Sequence, residues 1–532
     1  MYTSKPAMHK RFTLFPALLL AAFSVKAQTG ADILIKNARI IDGTGNNWYY
    51  GEIAVKDGRI LQTSRMPLNI TAARTIDAGG KVAAPGFIDV HTHIEGDEFK
   101  VPTAESFIYD GVTTVITGNC GSSNVDLRKY FYQLDSMKLS INTASLIGHN
   151  DVRRAVMGST DRAPSAAEQQ QMEALVEEAM KAGAVGLSTG LIYLPGLYAK
   201  TPEVVGLAKV AARHGGVYAT HMRNEGDAVE AAINEALTIG REAKIPVEIS
   251  HFKIGGKQNW GRSNVTLAMV EKARKEGLEV TIDQYPYTAS STSLRTMLPD
   301  WALSGGTDSI VYRLKDPVLR KRIASEMTAI YKGRRLKHLD YAVVAYFKQD
   351  TTYNGKSITE INKLRGRKSN LANEVQTILD ISEMGNAGMV FHGMSEEDVK
   401  YIMQYPYNMF ASDASIREFG VGVPHPRGYG TNARVLGKYV REEKVIRLEE
   451  AVRRMTSLPA QKFRLQQRGL LLPGYAADIV VFDPETVKDL STFTAPHQYS
   501  TGFQYVLVNG MVTLDNGKHN GARGGAVLKL NQ

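Results

Sequence analysis

Cysteine is almost absent from this chain: Cys120 is the single cysteine among 532 residues. One thiol has no partner within the chain, which excludes a fold that depends on internal disulfides. A free cysteine is often a small buried hydrophobe, but its thiolate is also a metal ligand. The residues around Cys120 therefore decide how it is interpreted.

Long hydrophobic runs are absent as well, except at the start of the chain. Residues 8–11 (MHKR) are basic, residues 12–25 (FTLFPALLLAAFSV) are apolar, and Ala27 offers a small residue for cleavage before Gln28. This order predicts a secretory signal over residues 1–27, the alternative being a buried N-terminal helix or a membrane anchor. No later segment approaches a membrane span. We therefore expect a soluble mature protein that is periplasmic or secreted, with the periplasm as destination in a Gram-negative cell.

Recognisable nucleic-acid-binding motifs are also missing. The formal net charge is +10, which would suit anionic partners, but the basic residues are spread along the chain. The densest group, residues 313–338, is typical of solvated helix faces. We expect a small-molecule substrate, no nucleic acid and no membrane partner after signal removal. The sequence predicts no particular oligomeric state.

What the chain does contain, after residue 80, is an alternation of short apolar runs with longer amphipathic ones. Eight runs rich in β-branched residues predict strands at residues 86–94, 111–121, 142–151, 184–191, 216–223, 246–253, 279–287 and 408–414. Helical patterns occupy residues 165–183, 202–214, 226–243, 265–277 and 395–404. Eight successive βα units favour an α/β fold, a closed (β/α)₈ TIM-like barrel, over an open doubly wound sheet.

Three features flank this predicted barrel. Short strand-like runs at residues 31–61 and again at residues 474–518 predict a small β-sandwich built from both termini. The connection between the seventh and eighth strands is too long for a single helix, which predicts an inserted lid subdomain over about residues 300–385. The predicted domains are the signal at 1–27, sandwich segments at 28–84 and 466–532, and a metal-dependent hydrolase barrel at 85–465.

The candidate functional residues collect where the predicted strands end. His91 and His93 are alternate residues of the first strand and so share a face. Active sites of such barrels form at the C-terminal ends of the strands. The residues found there are His91, His93, Cys120, His221, His251 and Asp413. Because imidazole, thiolate and carboxylate are zinc ligands, the set predicts a Zn²⁺ site.

The motifs around these residues resemble a known family. PGFIDVHTH, GNCG, ATHMRNEG, EISHFK, DQYPYTASST, ASDA and HPRGYGTNARVLG are similar to the amidohydrolase superfamily, and within it to the D-aminoacylase (N-acyl-D-amino-acid deacylase) branch. The resemblance covers nearly the whole mature chain. It implies zinc-dependent hydrolysis of the linear amide bond of an N-acyl-D-amino acid, which gives a carboxylate and a free D-amino acid.

The resemblance also implies how the metal ligands divide. Cys120, His221 and His251 would hold one tight zinc. His91, His93 and Asp413 would surround a second position that is weak or empty. The fourth strand lacks a lysine of the kind that bridges two metals in related hydrolases, and Cys120 would take its place. Asp413 is predicted to be the acid–base residue, the alternative being a ligand only.

Five further residues are predicted to bind substrate. The resemblance gives Arg427 the role of binding the substrate carboxylate. Lys253 lies two residues beyond His251 and is expected to face the same mouth. Tyr285 and Ser291 are expected to complete this carboxylate site. His149 would either contact substrate or brace its loop.

Departures from the family pattern leave substrate preference open. Phe252 stands where the family often has a second histidine, and the segment between Asp413 and His425 is unusual. The alternative functions are a dipeptidase for L-Xaa-D-Xaa substrates and a cyclic-amide hydrolase of the dihydroorotase or hydantoinase kind. A non-catalytic binding protein on the same scaffold is a further alternative.

Overall fold

The computed structural model describes residues 1–5 and 30–530. The predicted signal therefore lies outside the described residues, apart from its first five. Within the described part of the chain, no helix is both long enough and apolar enough to cross a membrane.

Eight short parallel strands form the centre of the molecule, one at each predicted position. They are Phe87–Asp89, Val112–Thr117, Asn142–Ser145 with Ile147–Gly148, Gly186–Gly190, Val217–His221, Val247–Ile249, Val280–Gln284 and Asn408–Phe410. The eighth strand pairs with the seventh, and the segments that follow the eighth and first strands form a parallel bridge between Ala414 and Thr92. The sheet is thus closed, which confirms the predicted (β/α)₈ barrel.

Helices cover the outside of the barrel. They are Glu105–Ile108, Leu127–Met137, His149–Met157, Ala166–Ala182, Thr201–Arg213, Val229–Ala243, Ser263–Lys275, Glu396–Met403, Arg427–Arg434 with the π-helix Val435–Glu442, Leu448–Met455 and Ser457–Lys462. Ala166–Ala182 shows how the sequence sets the ends: Ser165 and Glu168 form a reciprocal capping box. Gly183 ends the helix at φ 113°, a conformation that favours glycine.

The two termini share one nine-stranded sheet beside the barrel. Its strands are Ala31–Ile40, Tyr49–Lys56, Arg59–Ser64, Ala72–Asp77, Val82–Pro85, Ile479–Phe482, Phe503–Val508, Met511–Asp515 and Lys518–His519. The junction between N- and C-terminal parts is the antiparallel pair Val82–Pro85 and Ile479–Phe482. Ile35, Ile53 and Leu507 are fully buried in its core, so the sheet is a packed layer with its own apolar interior.

The inserted segment forms a subdomain with a separate core. Three antiparallel strands, Ser290–Ser293, Ala342–Tyr346 and Gly388–Phe391, pack with the helices Asp300–Leu303, Gly306–Lys315, Pro317–Gly333, Ile358–Leu364 and Leu371–Met384. The insert is wider than the predicted 300–385 because its first and last strands pair with each other, Ser291 opposite Val390.

The insert meets the barrel mouth through its first strand. Ser291 and Thr292 line the cavity at the C-terminal end of the barrel, and the Thr292 hydroxyl lies 2.9 Å from the Tyr193 hydroxyl. Among the described residues that line this cavity, none comes from residues 300–385. The predicted lid therefore reaches the site by its edge strand, and its role in covering the site stays a prediction.

Candidate metal centre

Three imidazoles from separate strand ends meet around one thiol. Cys120 Sγ lies 3.3 Å from His91 Nε2, 3.6 Å from His221 Nδ1 and 3.6 Å from His251 Nε2. All four residues are buried. Three imidazoles around a buried thiol are a set of donors that holds metal ions.

The spacing of these donors fits a tetrahedral zinc ion. Zn–S bonds of about 2.3 Å and Zn–N bonds of about 2.0 Å, at tetrahedral angles, place sulfur and nitrogen roughly 3.5 Å apart. The observed separations of 3.3 to 3.6 Å agree with this value. The donor types and their distances therefore both fit zinc.

The backbone at the strand ends is unusual. Cys120, His251 and Asp413 have φ angles of 52°, 37° and 50°, in the left-handed region that residues other than glycine rarely adopt. Such conformations persist only where surrounding contacts enforce them. Here the amide of His251 donates to Asp283 Oδ1 at 2.8 Å, and that of Asp413 donates to the His91 carbonyl at 2.9 Å.

Asp413 joins a second group of donors to the first. Its Oδ1 lies 3.1 Å from His93 Nε2 and 3.6 Å from His91 Nε2. His91 belongs to both groups, because its Nε2 also faces Cys120. The structure thus brings together all six predicted ligand residues in three overlapping groups: His91, Cys120 and His251; His91, His93 and Asp413; and His221 and His251 with Glu225.

Neighbouring charges and hydrogen bonds lower the pKa of both the thiol and the carboxyl. Burial would raise the pKa of Cys120, but His91, His221 and His251 hold that pKa well below its usual value. Burial would also raise the pKa of Asp413, yet Arg427 and His91 hold that pKa well below its usual range. The site therefore presents thiolate and carboxylate, the forms that bind a cation.

Two acids hold the imidazoles from behind, and the sequence analysis missed both. Asp283 Oδ2 lies 3.4 Å from His91 Nδ1, and Glu225 Oε1 lies 3.0 Å from His251 Nδ1. Such partners fix the orientation of a ligand imidazole and raise its basicity. The available signal was the position of Glu225, four residues after His221 in ATHMRNEG.

Lys253 lies behind the centre rather than in the cavity wall. Its Nζ donates to Glu225 Oε1 at 2.6 Å and to the His251 carbonyl at 2.9 Å. Burial would lower the pKa of Lys253, but Glu225 raises it. Its predicted place at the mouth therefore differs from the observed one, because Glu225 folds back to pair with it.

His149 is also fully buried and outside the cavity lining. Its Nε2 lies 2.9 Å from Glu203 Oε1, and its Nδ1 lies 3.3 Å from Asn150 Oδ1. Since both ring nitrogens have protein partners, these contacts favour bracing of the loop over contact with substrate.

A cavity of about 450 Å³ opens beside the metal centre, a size suited to a small molecule. Its lining includes His93, Cys120, Ser122, Asn150, Asp151, Arg154, Tyr193, Leu194, Ser291, Thr292, Asp413, Arg417 and Arg427. Arg427 and Ser291 are thus in the cavity wall. Sequence reasoning did not single out Arg154 or Arg417, since nothing in the sequence shows which arginines face a cavity.

Arg427 is held between three groups. Its Nη1 lies 2.8 Å from Asp413 Oδ2, and its Nη2 donates to the Ser291 carbonyl at 3.3 Å. The guanidinium carbon lies 4.6 Å from the ring centroid of Tyr285, within range of a cation–π interaction. The described lining of the cavity does not include Tyr285, which instead packs its buried ring against Arg427.

Known proteins match this chain over most of its length. Residues 74–514 match the model described as the amidohydrolase family. N-acyl-D-glutamate deacylase from Alcaligenes xylosoxydans xylosoxydans is 35% identical over 91% of this chain and 93% of its own length. D-aminoacylase from the same organism is 35% identical over 93% of this chain and 97% of its own length.

A solved structure extends the likeness to three dimensions. The crystal structure of N-acyl-D-glutamate deacylase from Bordetella bronchiseptica contains zinc and a phosphonate inhibitor that mimics the tetrahedral intermediate. It matches with a TM-score of 0.81 and 36% identity, over 94% of this chain and 100% of that one. This chain therefore belongs to the amidohydrolase family.

Proposed function

We propose that this protein is a zinc-dependent hydrolase of N-acyl-D-amino acids that releases a carboxylate and a free D-amino acid. The observation that carries the proposal is the Cys120 donor group with zinc-like spacing, next to an ionised Asp413 that is paired with Arg427. The deacylases that match this chain over most of their length support the same reaction.

The tight zinc would be held by Cys120, His221 and His251, and His91, His93 and Asp413 would surround a second, weaker position. When bound, zinc lowers the pKa of water and polarises a carbonyl oxygen. Glu225 and Asp283 keep the imidazoles in place, which is the usual contribution of residues behind a metal ligand.

Asp413 is the residue that transfers a proton during hydrolysis. Its carboxylate takes a proton from the attacking water and delivers it to the leaving amine, a step that requires a group next to the reacting atoms. Arg427 holds this carboxylate through Oδ2, while His93 lies beside Oδ1. Asp413 is therefore fixed from both sides with its charge preserved.

Arg427 also selects the substrate's free carboxylate. A planar guanidinium can bind a carboxylate with two hydrogen bonds, and Arg427 lies in the cavity wall with Ser291. The site would fix the substrate at three points: its carboxylate, its scissile carbonyl and its α-hydrogen. The side chain of the substrate then has only one direction left. That arrangement distinguishes D from L residues.

The direct test is a hydrolysis panel with zinc-loaded enzyme. N-acetyl-D-amino acids should be cleaved, and their L-enantiomers should not. L-Xaa-D-Xaa dipeptides and hydantoins form the comparison arms, since they separate the dipeptidase and cyclic-amide alternatives. Turnover confined to either of those arms would contradict the proposal.

We also propose that the mature enzyme is exported. The basic and apolar order of residues 8–25, followed by Ala27, supports a cleaved secretory signal. Fractionation of the native host should find processed protein beginning near Gln28 in the periplasm or the medium. Unprocessed protein in the cytoplasm would overturn this.

A further inference from the structure

The cavity wall contains three arginines, and one of them lacks an anionic partner. Arg154 pairs with Asp151, and Arg427 pairs with Asp413. Arg417 forms no ion pair within residues 1–5 and 30–530, and its buried Nε has no hydrogen-bond partner there. It lies in the segment between Asp413 and His425.

The surroundings of Arg417 make an unpaired charge costly. Burial lowers the pKa of Arg417, and so does the nearby charge of Arg427. Asp97 and Asp413 act in the opposite direction, but both have other partners. Asp97 is bound by Lys100 and Ser415, and Asp413 by Arg427. Arg417 is half-buried at the cavity wall, and a cation that is partly withdrawn from water is stabilised by an incoming anion.

The backbone provides room for this guanidinium. A Cβ added at Gly428 would lie 2.8 Å from Arg417 Nε and 3.1 Å from its Cγ. Glycine at position 428 therefore allows the Arg417 side chain to lie against the start of the helix that begins at Arg427. A methyl group at position 428 would displace the guanidinium.

We propose that Arg417 binds a second carboxylate of the substrate, so that the preferred substrates are N-acyl derivatives of an acidic D-residue, aspartate or glutamate. The inference rests on the proposed function, in which Arg427 takes the α-carboxylate. A neutral side chain would leave the Arg417 charge unpaired in the enzyme–substrate complex. An acidic side chain neutralises it.

The test compares each acid with its neutral amide of nearly equal shape, using zinc-loaded full-length mature enzyme. The wild type should show kcat/KM at least about tenfold higher for N-acetyl-D-glutamate than for N-acetyl-D-glutamine, because a desolvated charge pair is lost with the amide. Arg417→Gln should abolish this preference for the acid. The preference for N-acetyl-D-aspartate over N-acetyl-D-asparagine should be lost in the same variant. Arg417→Lys, which keeps the charge, should preserve part of it.

Matched variants separate recognition from structure. Arg154→Gln removes a cavity arginine that is already paired, and it should leave the acid-to-amide ratio unchanged. Gly428→Ala should lower the ratio, because it displaces Arg417. Inhibition of the wild type by free D-glutamate and D-glutamine gives a second readout, and D-glutamate should bind more tightly.

Two results would overturn the inference while leaving the proposed function intact. One is a wild-type enzyme that cleaves the acid and the amide equally. The other is an Arg417→Gln variant that loses both substrates in proportion, as expected if Arg417 serves the α-carboxylate or the fold. Absence of hydrolysis for every N-acyl-D-amino acid would instead reject the proposed function, and the inference with it.

Discussion

The metal centre and the cavity beside it share one barrel mouth, but they are built from different parts of the chain. The donors around Cys120 come from strand ends and are fixed by backbone contacts and by the acids Asp283 and Glu225. The cavity wall comes from loops and the insert, with Arg417, Arg427 and Thr292 among its residues. We infer from this difference that the strands determine the chemistry and the loops determine the choice of substrate.

The largest effect is expected at Asp413, where the two regions meet. Asp413→Asn keeps the shape but cannot accept a proton, so kcat should fall by about 10²- to 10⁴-fold, the usual contribution of acid–base catalysis. Zinc at the tight site should remain, because Cys120, His221 and His251 are unchanged. The measurements are turnover and metal content, and retention of both would show that Asp413 has another role.

A substitution at Arg427 tests whether the cavity wall binds the substrate. Arg427→Ala should lower kcat/KM. The corresponding loss of transition-state stabilisation should be about 2–5 kcal/mol, the range for removing one partner of a desolvated charge pair. The tight zinc should stay bound, since Arg427 touches none of its ligands. Steady-state kinetics and zinc analysis of the same preparation provide the check, and wild-type kinetics would exclude Arg427 from substrate binding.

A substitution at Glu225 tests whether the acid next to His251 contributes to zinc affinity. Glu225→Gln weakens the contacts with His251 and Lys253 and should lower zinc affinity by about 10- to 100-fold. Competition with a chelator measures this directly. Glu230→Gln, in an exposed pair with Arg262, is the matched control, and equal zinc affinity in the two variants would contradict the assignment.

Tyr193 should show the smallest effect, because it links the cavity to the insert by one hydrogen bond. Tyr193→Phe removes the hydroxyl that contacts Thr292. The free energy of substrate binding should become less favourable by about 0.5–1.5 kcal/mol, the value of one hydrogen bond. We expect the loss mainly in KM, with zinc content unchanged. A loss of zinc would show that the insert edge belongs to the metal centre rather than to the cavity.

The same division explains what the sequence could predict. The barrel strands are apolar runs, and their ends carry His91, Cys120 and Asp413, so the donor set follows from local patterns. The strand Ser290–Ser293 is all serine and threonine and half-buried throughout, so it lacks the alternation that marks a strand. Its pairing with Gly388–Phe391 was therefore not foreseen.

Residues whose role depends on distant partners were harder to place. Lys253 was expected at the mouth, but Glu225, from the loop after a different strand, holds it behind His251. Glu203, from a later helix, likewise holds His149. Periodicity shows which face a residue occupies, but it does not show which charge from another segment meets it there.

The central claim is that Cys120 and histidines from the strand ends hold the catalytic zinc. X-ray absorption of enzyme loaded with one equivalent of zinc tests it most directly. The account predicts one sulfur at about 2.3 Å together with nitrogen donors at about 2.0 Å. The sulfur contribution should disappear in Cys120→Ser. A spectrum of the wild-type enzyme with only nitrogen and oxygen donors would contradict the account.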